Sequence, residues 1–182
     1  MIELPQLSLA EWIVLALIAE QPRHGFAIAA LTAHTGEIGR AWHVPRPIVY
    51  RAAARLTERG LVALESTERG GRGPQRSVLA ATVDGSKAVR LWLGRPVVYV
   101  RDGRSELLVK LALLERRGRG PLRLIAAQRT AFARVEAALN QQQDAEDGFG
   151  RVLASWRVET VRAALRFLDD VQAQYERPVG VR

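Results

Sequence analysis

The sequence predicts a mainly α chain with a small two-stranded β wing inserted after its third helix and a long helical tail behind it. Three observations predict this. Apolar residues recur at helical spacing through residues 8–20, 25–36 and 48–59. The period then switches to alternation in LVALEST and QRSVLAAT, and from Ser105 onward it is helical again.

Ser8 reads as the N-cap of a first helix, with Glu11 three residues on as in a capping box and Leu9, Trp12, Ile13, Ala16 and Leu17 at helical spacing. EQPRHG breaks that helix. GFAIAALTAHTG gives a short second one, with Phe26, Ile28, Ala29 and Leu31 as its apolar face and Gly36 as its end. AWHVPRPIVYRAAARLTERGLV follows. Pro45 and Pro47 fit only at or before a helix start, IVYRAAARLTER is strongly helical, and Gly60 stops it. On this third helix Ile48, Ala52 and Leu56 share a face with Val49 and Ala53 beside them, while Arg51, Arg55, Arg59, Tyr50 and Arg46 project outward.

The two alternating segments are joined by glycine and proline in ERGGRGPQR, which carries Arg69, Arg72 and Arg76 at the tip of a ribbon. Thr82 and Asp84 are expected to cap a helix, DGSKAVRLWL, that turns Val89, Trp92 and Leu93 inward. GRPVVYVRDGR marks a joint between residues 1–95 and 96–182. Its VVYV core is either a strand or a packed linker.

Three helices make up the tail. Leu122, Ile125, Phe132, Val135 and Leu139 form a stripe on the second, and Phe149, Val152, Trp156, Ala163, Phe167, Val171 and Tyr175 form one on the third. ERRGRGPLR, from Glu115 to Arg123, matches the wing motif at seven of nine positions. It falls between two helices, however, so a solvated helix-helix turn is expected there and the likeness is one of composition.

Composition narrows the function. A chain of 182 residues without cysteine has no disulfide, no zinc-thiolate site and no thiol nucleophile. His24, His34 and His43 stand on different elements with no carboxylate pair to complete a ligand set, so neither metal nor cofactor is expected. The N-terminal residues lack the basic start of a signal peptide, and the longest apolar run, Trp12 to Ala19, is too short to span a bilayer. A cytoplasmic protein with no membrane association is expected. GGRGP lacks the strand, lysine and helix order of a phosphate-binding loop, and no nucleophilic arrangement is recognisable, so an enzyme is not expected.

The formal net charge of +8 is concentrated. Residues 40–76 hold Arg40, Arg46, Arg51, Arg55, Arg59, Arg69, Arg72 and Arg76 against Glu58, Glu65 and Glu68. Three helices followed by a two-stranded wing form a winged helix-turn-helix, whose third helix enters the major groove while the wing touches the backbone or minor groove beside it. Double-stranded DNA is therefore the expected partner. An interaction module whose arginines meet an acidic protein is the alternative.

LSLAEWIVLALIAEQPRHGFAI, AWHVPRPIVYRAAARLTERGLV and GPQRSVLAATVDGSKAVRLWL, in this order and ahead of a helical tail, resemble the PadR family of bacterial transcriptional regulators. The resemblance implies a homodimeric winged-helix repressor on an inverted-repeat operator, with C-terminal helices forming the dimer and a small hydrophobic effector tuning affinity. Tyr50 and Arg51 match the family's DNA-binding helix. With Arg46, Arg55, Arg69, Arg72 and Arg76 they are the candidate DNA contacts, Tyr50 to phosphate. Phe26 departs from the tyrosine that members often carry, and Pro47 from a glycine or small polar residue. Phe149, Val152, Trp156, Phe167, Val171 and Tyr175 are the candidate dimer residues. All four tryptophans, Trp12, Trp42, Trp92 and Trp156, are expected in the core, with helical spacing favouring it for Trp12 and Trp156. Trp92 is also the candidate lining residue of an effector pocket.

Overall fold

A computed structural model describes residues 4–68 and 76–177. Helix α1 (Leu9–Glu20) opens on the expected capping box: the Glu11 backbone N–H donates to Ser8 Oγ (3.3 Å), and the Ser8 N–H donates to Glu11 Oε2 (2.7 Å). Every residue from Glu11 to Ile18 is buried, so α1 is the central helix around which the first unit packs.

Strand β1 (Arg23–His24) stands where the sequence suggests only a break. Two residues are too few to show a period. They are held as a strand by the partner they meet, pairing antiparallel with Leu79 and Val78. Helix α2 (Gly25–Thr32) also ends earlier than expected, at Thr32 instead of Gly36. The Ile38 and Gly39 N–H groups both return to Leu31 O (3.0 and 3.1 Å), folding the chain back beneath the end of the helix.

Helix α3 (Arg46–Glu58) begins with Pro47 in its first turn and ends in a Schellman motif. Gly60 takes a φ of +68°, its N–H donates to Thr57 O, and the Leu61 N–H donates to Leu56 O. Strands β2 (Val62–Glu68) and β3 (Arg76–Ala81) pair antiparallel from Val62↔Ala81 outward, with an irregularity between Leu64 and Ser66. The sheet order is β1-β3-β2, so the expected two-stranded wing gains a short third strand on the far edge of β3. Helix α4 (Val83–Gly94) is capped by Thr82, whose Oγ1 accepts from the Gly85 N–H (3.1 Å) and donates to Gly60 O (2.9 Å).

VVYV is linker. Residues Val100–Arg104 form a 3-10 turn, and before it the buried Gln128 side chain clamps Val97, accepting from its N–H (2.7 Å) and donating to its carbonyl (3.0 Å). Helices α5 (Glu106–Arg116), α6 (Leu122–Ala145) and α7 (Gly148–Glu176) form the tail. The second basic motif is the turn between α5 and α6, with Gly118 at a φ of +62°.

Two compact units result. One comprises Met1–Gly94 with Leu108–Arg117, the other Arg95–Leu107 with Gly118–Arg182. Most of α5 belongs to the first because Val109 and Leu113 join its core. Arg116 adds a tie at the C-terminus of α1, donating to Glu20 (2.8 Å). In the second unit α6 buries Leu124, Ile125, Gln128 and Phe132, and α7 buries Ala154, Val158, Val161 and Leu168.

The stripe noted on α7 is not the face that packs within the chain. Phe149 is 79% and Trp156 72% exposed, with Val152 and Phe167 also exposed. The expectation that Trp156 lies in the core is therefore corrected, as is that for Trp42, which is exposed as well. Helix α7 carries two apolar faces, and helical spacing alone does not say which one its own chain covers. Trp12 and Trp92 are buried as expected, their rings stacked with centroids 5.0 Å apart and planes within 2°.

Candidate nucleic-acid interface

Helices α2 and α3 are locked together through Thr32. The Thr32 hydroxyl lies 3.1 Å from Ile28 O and 3.3 Å from Val44 O, and the Val44 N–H donates to Thr32 O (3.0 Å). A fully buried threonine thus satisfies the last turn of α2 and fixes the segment that leads into α3. His43 Nδ1 lies 3.1 Å from Thr32 O, and its ring stacks on that of His34.

On α3 the inward face is Val49, Ala52, Ala53 and Leu56, all buried. Opposite them Arg46, Tyr50, Arg51 and Arg55 are exposed, so the structure brings these four candidate residues to one outward face. The division follows from sequence: small and β-branched apolar residues line one side of the helix, and long basic side chains fill the other. Arg59, on the same helix row, is engaged elsewhere. Its Nη1 donates to Gln6 O (2.7 Å), tying the end of α3 to the segment before α1.

Arg55 is backed by an acid. Its Nη1 lies 3.9 Å from Glu11 Oε1, and Glu11 is buried. Burial pushes the Glu11 carboxyl up. The Ser8 backbone N–H and hydroxyl together with Arg59 and Arg55 outweigh it, and the group ends below the ordinary glutamate value.

At the N-terminal end of α3, Arg46 lies near two rings. Its Cζ is 5.6 Å from the Phe26 centroid and 5.7 Å from that of Tyr50. Gly25 makes the arrangement possible, because a Cβ there would come 2.7 Å from Tyr50 Cε1. Phe26, expected on the apolar face of α2, is instead 60% exposed. A residue two positions from the buried Ile28 is rotated about 200° around the helix, so the two do not share a face.

Arg69 and Arg72 lie outside the described residues. Arg76 begins β3, paired with Glu68 across the ladder. Trp92 is only 2% exposed, at the centre of the first unit, with Lys110 Nζ 4.9 Å from its ring centroid. Among the described residues no group of three or more His, Cys, Asp or Glu could hold a metal ion, and no helix is long and apolar enough to cross a membrane.

Three helices, the α2–α3 turn and the antiparallel ribbon after α3 make this a winged helix-turn-helix fold followed by helices. Residues 6–73 match the sequence model of the MarR family. No curated protein matches the chain in sequence. Among solved structures the chain is similar to Bacillus subtilis PadR in complex with operator DNA, at 17% identity and a TM-score of 0.48 over 93% of this chain and 100% of that one. It is similar to Bacillus subtilis PadR in complex with p-coumaric acid at 15% identity and a TM-score of 0.41, over 93% of this chain and 97% of that one. A Streptococcus mutans UA159 protein is similar at 14% identity and a TM-score of 0.42, over 90% of this chain and 98% of that one.

Proposed function

We propose that this chain is a PadR-like, sequence-specific DNA-binding transcriptional regulator of the cytoplasm, a homodimeric repressor whose operator affinity responds to a small hydrophobic ligand. The observation that carries the proposal is the outward face of α3. Arg46, Tyr50, Arg51 and Arg55 are exposed together on a helix whose other side is anchored in the core and whose entry is locked to α2 by Thr32. A rigid helix with a basic outer face can enter the major groove while its guanidinium groups meet phosphates and base edges. The ribbon of β2 and β3 follows directly, and Arg69, Arg72 and Arg76, which the sequence places between the two strands or at the start of the second, would contact the adjacent backbone.

Dimerisation is assigned to the tail, supported by the second apolar face of α7, where Phe149, Val152, Trp156 and Phe167 are exposed. An isologous dimer carries two copies of α3, one for each half-site of an inverted repeat. A small hydrophobic effector would bind in a solvent-open groove of about 470 Å³ in the first unit, where Leu4, Leu61, Ala88 and Leu91 give apolar walls and Asp84 and Lys87 give polar groups. Trp92, proposed from sequence as a lining residue, would reach an effector only if the core around the Trp12 stack opened.

The test is selection of the purified chain on a random duplex pool near physiological salt, where nonspecific phosphate attraction is weakened while base readout survives. Enrichment of an inverted repeat is expected. A pool that stays random would overturn the assignment.

A further inference from the structure

Resting on the DNA-binding function proposed above, we infer that Phe26, with Arg46 and Tyr50, is a base-reading device that selects a thymine next to a guanine in each half-site. The inference starts from the cluster at the N-terminal end of α3. Arg46 is the first residue of that helix, and N-terminal residues of a recognition helix are those that reach base edges. Its guanidinium lies 5.6 and 5.7 Å from two ring centroids, so cation–π attraction to both rings favours this rotamer before DNA arrives. An arginine held in this way keeps its N–H edges for a planar, two-acceptor partner, and in the major groove that partner is guanine O6 and N7.

Phe26 has no such polar task. It is 60% exposed on the surface that presents Arg46, and a phenyl ring gains nothing from phosphate. The one strongly apolar feature that the major groove offers is the thymine 5-methyl group, and contact with it would cover the exposed ring. Tyr50, 45% exposed and packed against Gly25, is the second ring within reach of the guanidinium and helps set its position. Guanine and thymine would be neighbours because the arginine and the phenyl ring are neighbours.

The experiment measures affinity for the selected half-site with each thymine in turn replaced by deoxyuridine, which removes only the methyl group. For the wild type, one replacement beside the conserved guanine of the selected site should weaken binding about fourfold, as expected for one buried methyl group. Phe26→Ala should bind the thymine and uracil duplexes equally, and Phe26→Leu, which keeps an apolar side chain, should recover part of the discrimination. Wild-type indifference to every methyl group, or full discrimination in Phe26→Ala, would overturn the inference while leaving DNA binding intact. A pool from which no sequence is selected would overturn both.

Discussion

Glu11 Oε1 lies 3.9 Å from Arg55 Nη1, placing a buried carboxylate of α1 directly behind the outward face of α3. The same carboxylate closes the capping box with Ser8, so one residue joins the start of the central helix to the helix that carries the basic outer face. Because its folded-state pKa is below the ordinary value, its stabilisation is fully present above the unfolded glutamate pKa and is lost as pH falls through the lowered one. Glu11→Gln should cost about 1–2 kcal/mol at neutral pH. It should also flatten the loss of stability on the acid side of pH 4.5, the ordinary value of this group. Urea unfolding of both proteins across that range measures this, and parallel stability curves would refute the assignment.

Arg51 and Arg55 face the same way, but of the two only Arg55 is paired with a carboxylate among the described residues. Each phosphate contact contributes about 0.9 to the slope of log affinity against log salt concentration. Arg51→Ala should lower that slope by close to this amount, and Arg55→Ala by less, because Glu11 already neutralises part of its charge. Binding isotherms at four or five salt concentrations distinguish the two. Equal slopes for wild type and Arg51→Ala would remove Arg51 from the phosphate contacts.

The N-terminal helices were legible because their signals are local. The Ser8–Glu11 box, Pro47 in the first turn of α3 and Gly60 at its end each act within one helical turn, and all appear where the residues imply. What sequence did not reveal depends on contacts distant along the chain. Strand β1 exists through its pairing with β3 more than fifty residues later, and Glu11 meets Arg55 only once α1 and α3 have packed. Helix α7 is a different case: its periodicity was visible, but two apolar faces on one helix look alike until a neighbouring helix covers one of them. Phe26 had a usable signal. Its spacing from Ile28 already excluded a face shared with that residue.

Gln128 is a buried amide that makes two hydrogen bonds to the backbone of Val97. Replacing it by Met preserves volume and leaves a buried N–H and carbonyl without these partners, at about 1–3 kcal/mol for each group. Gln128→Met should therefore destabilise the chain by about 2–6 kcal/mol, while Gln128→Glu keeps an acceptor for the Val97 N–H but buries a carboxylate against the Val97 carbonyl and should cost at least as much at neutral pH. Thermal or denaturant unfolding ranks the two variants. A methionine variant as stable as wild type would show that the clamp does not hold the 95–107 segment.

Trp156 and Phe149 are the strongest test of the proposed dimer, because neither is covered by its own chain. Within the chain α7 is held by Ala154, Val158, Val161 and Leu168, so a change on the opposite face leaves that packing intact. In a two-fold interface each substitution is felt twice. An aromatic side chain that buries ~150 Å² contributes about 4 kcal/mol at 25 cal/mol per Å², before the costs of association. Trp156→Glu exchanges that gain for a charge that would face its own symmetry mate or a neighbouring apolar surface. The dimer dissociation constant should rise at least about a hundredfold, with the helical circular dichroism signal retained. Sedimentation across a micromolar concentration series reads the change. A Trp156→Glu, Phe149→Glu double variant that sediments as the wild-type dimer would move the interface off this face of α7.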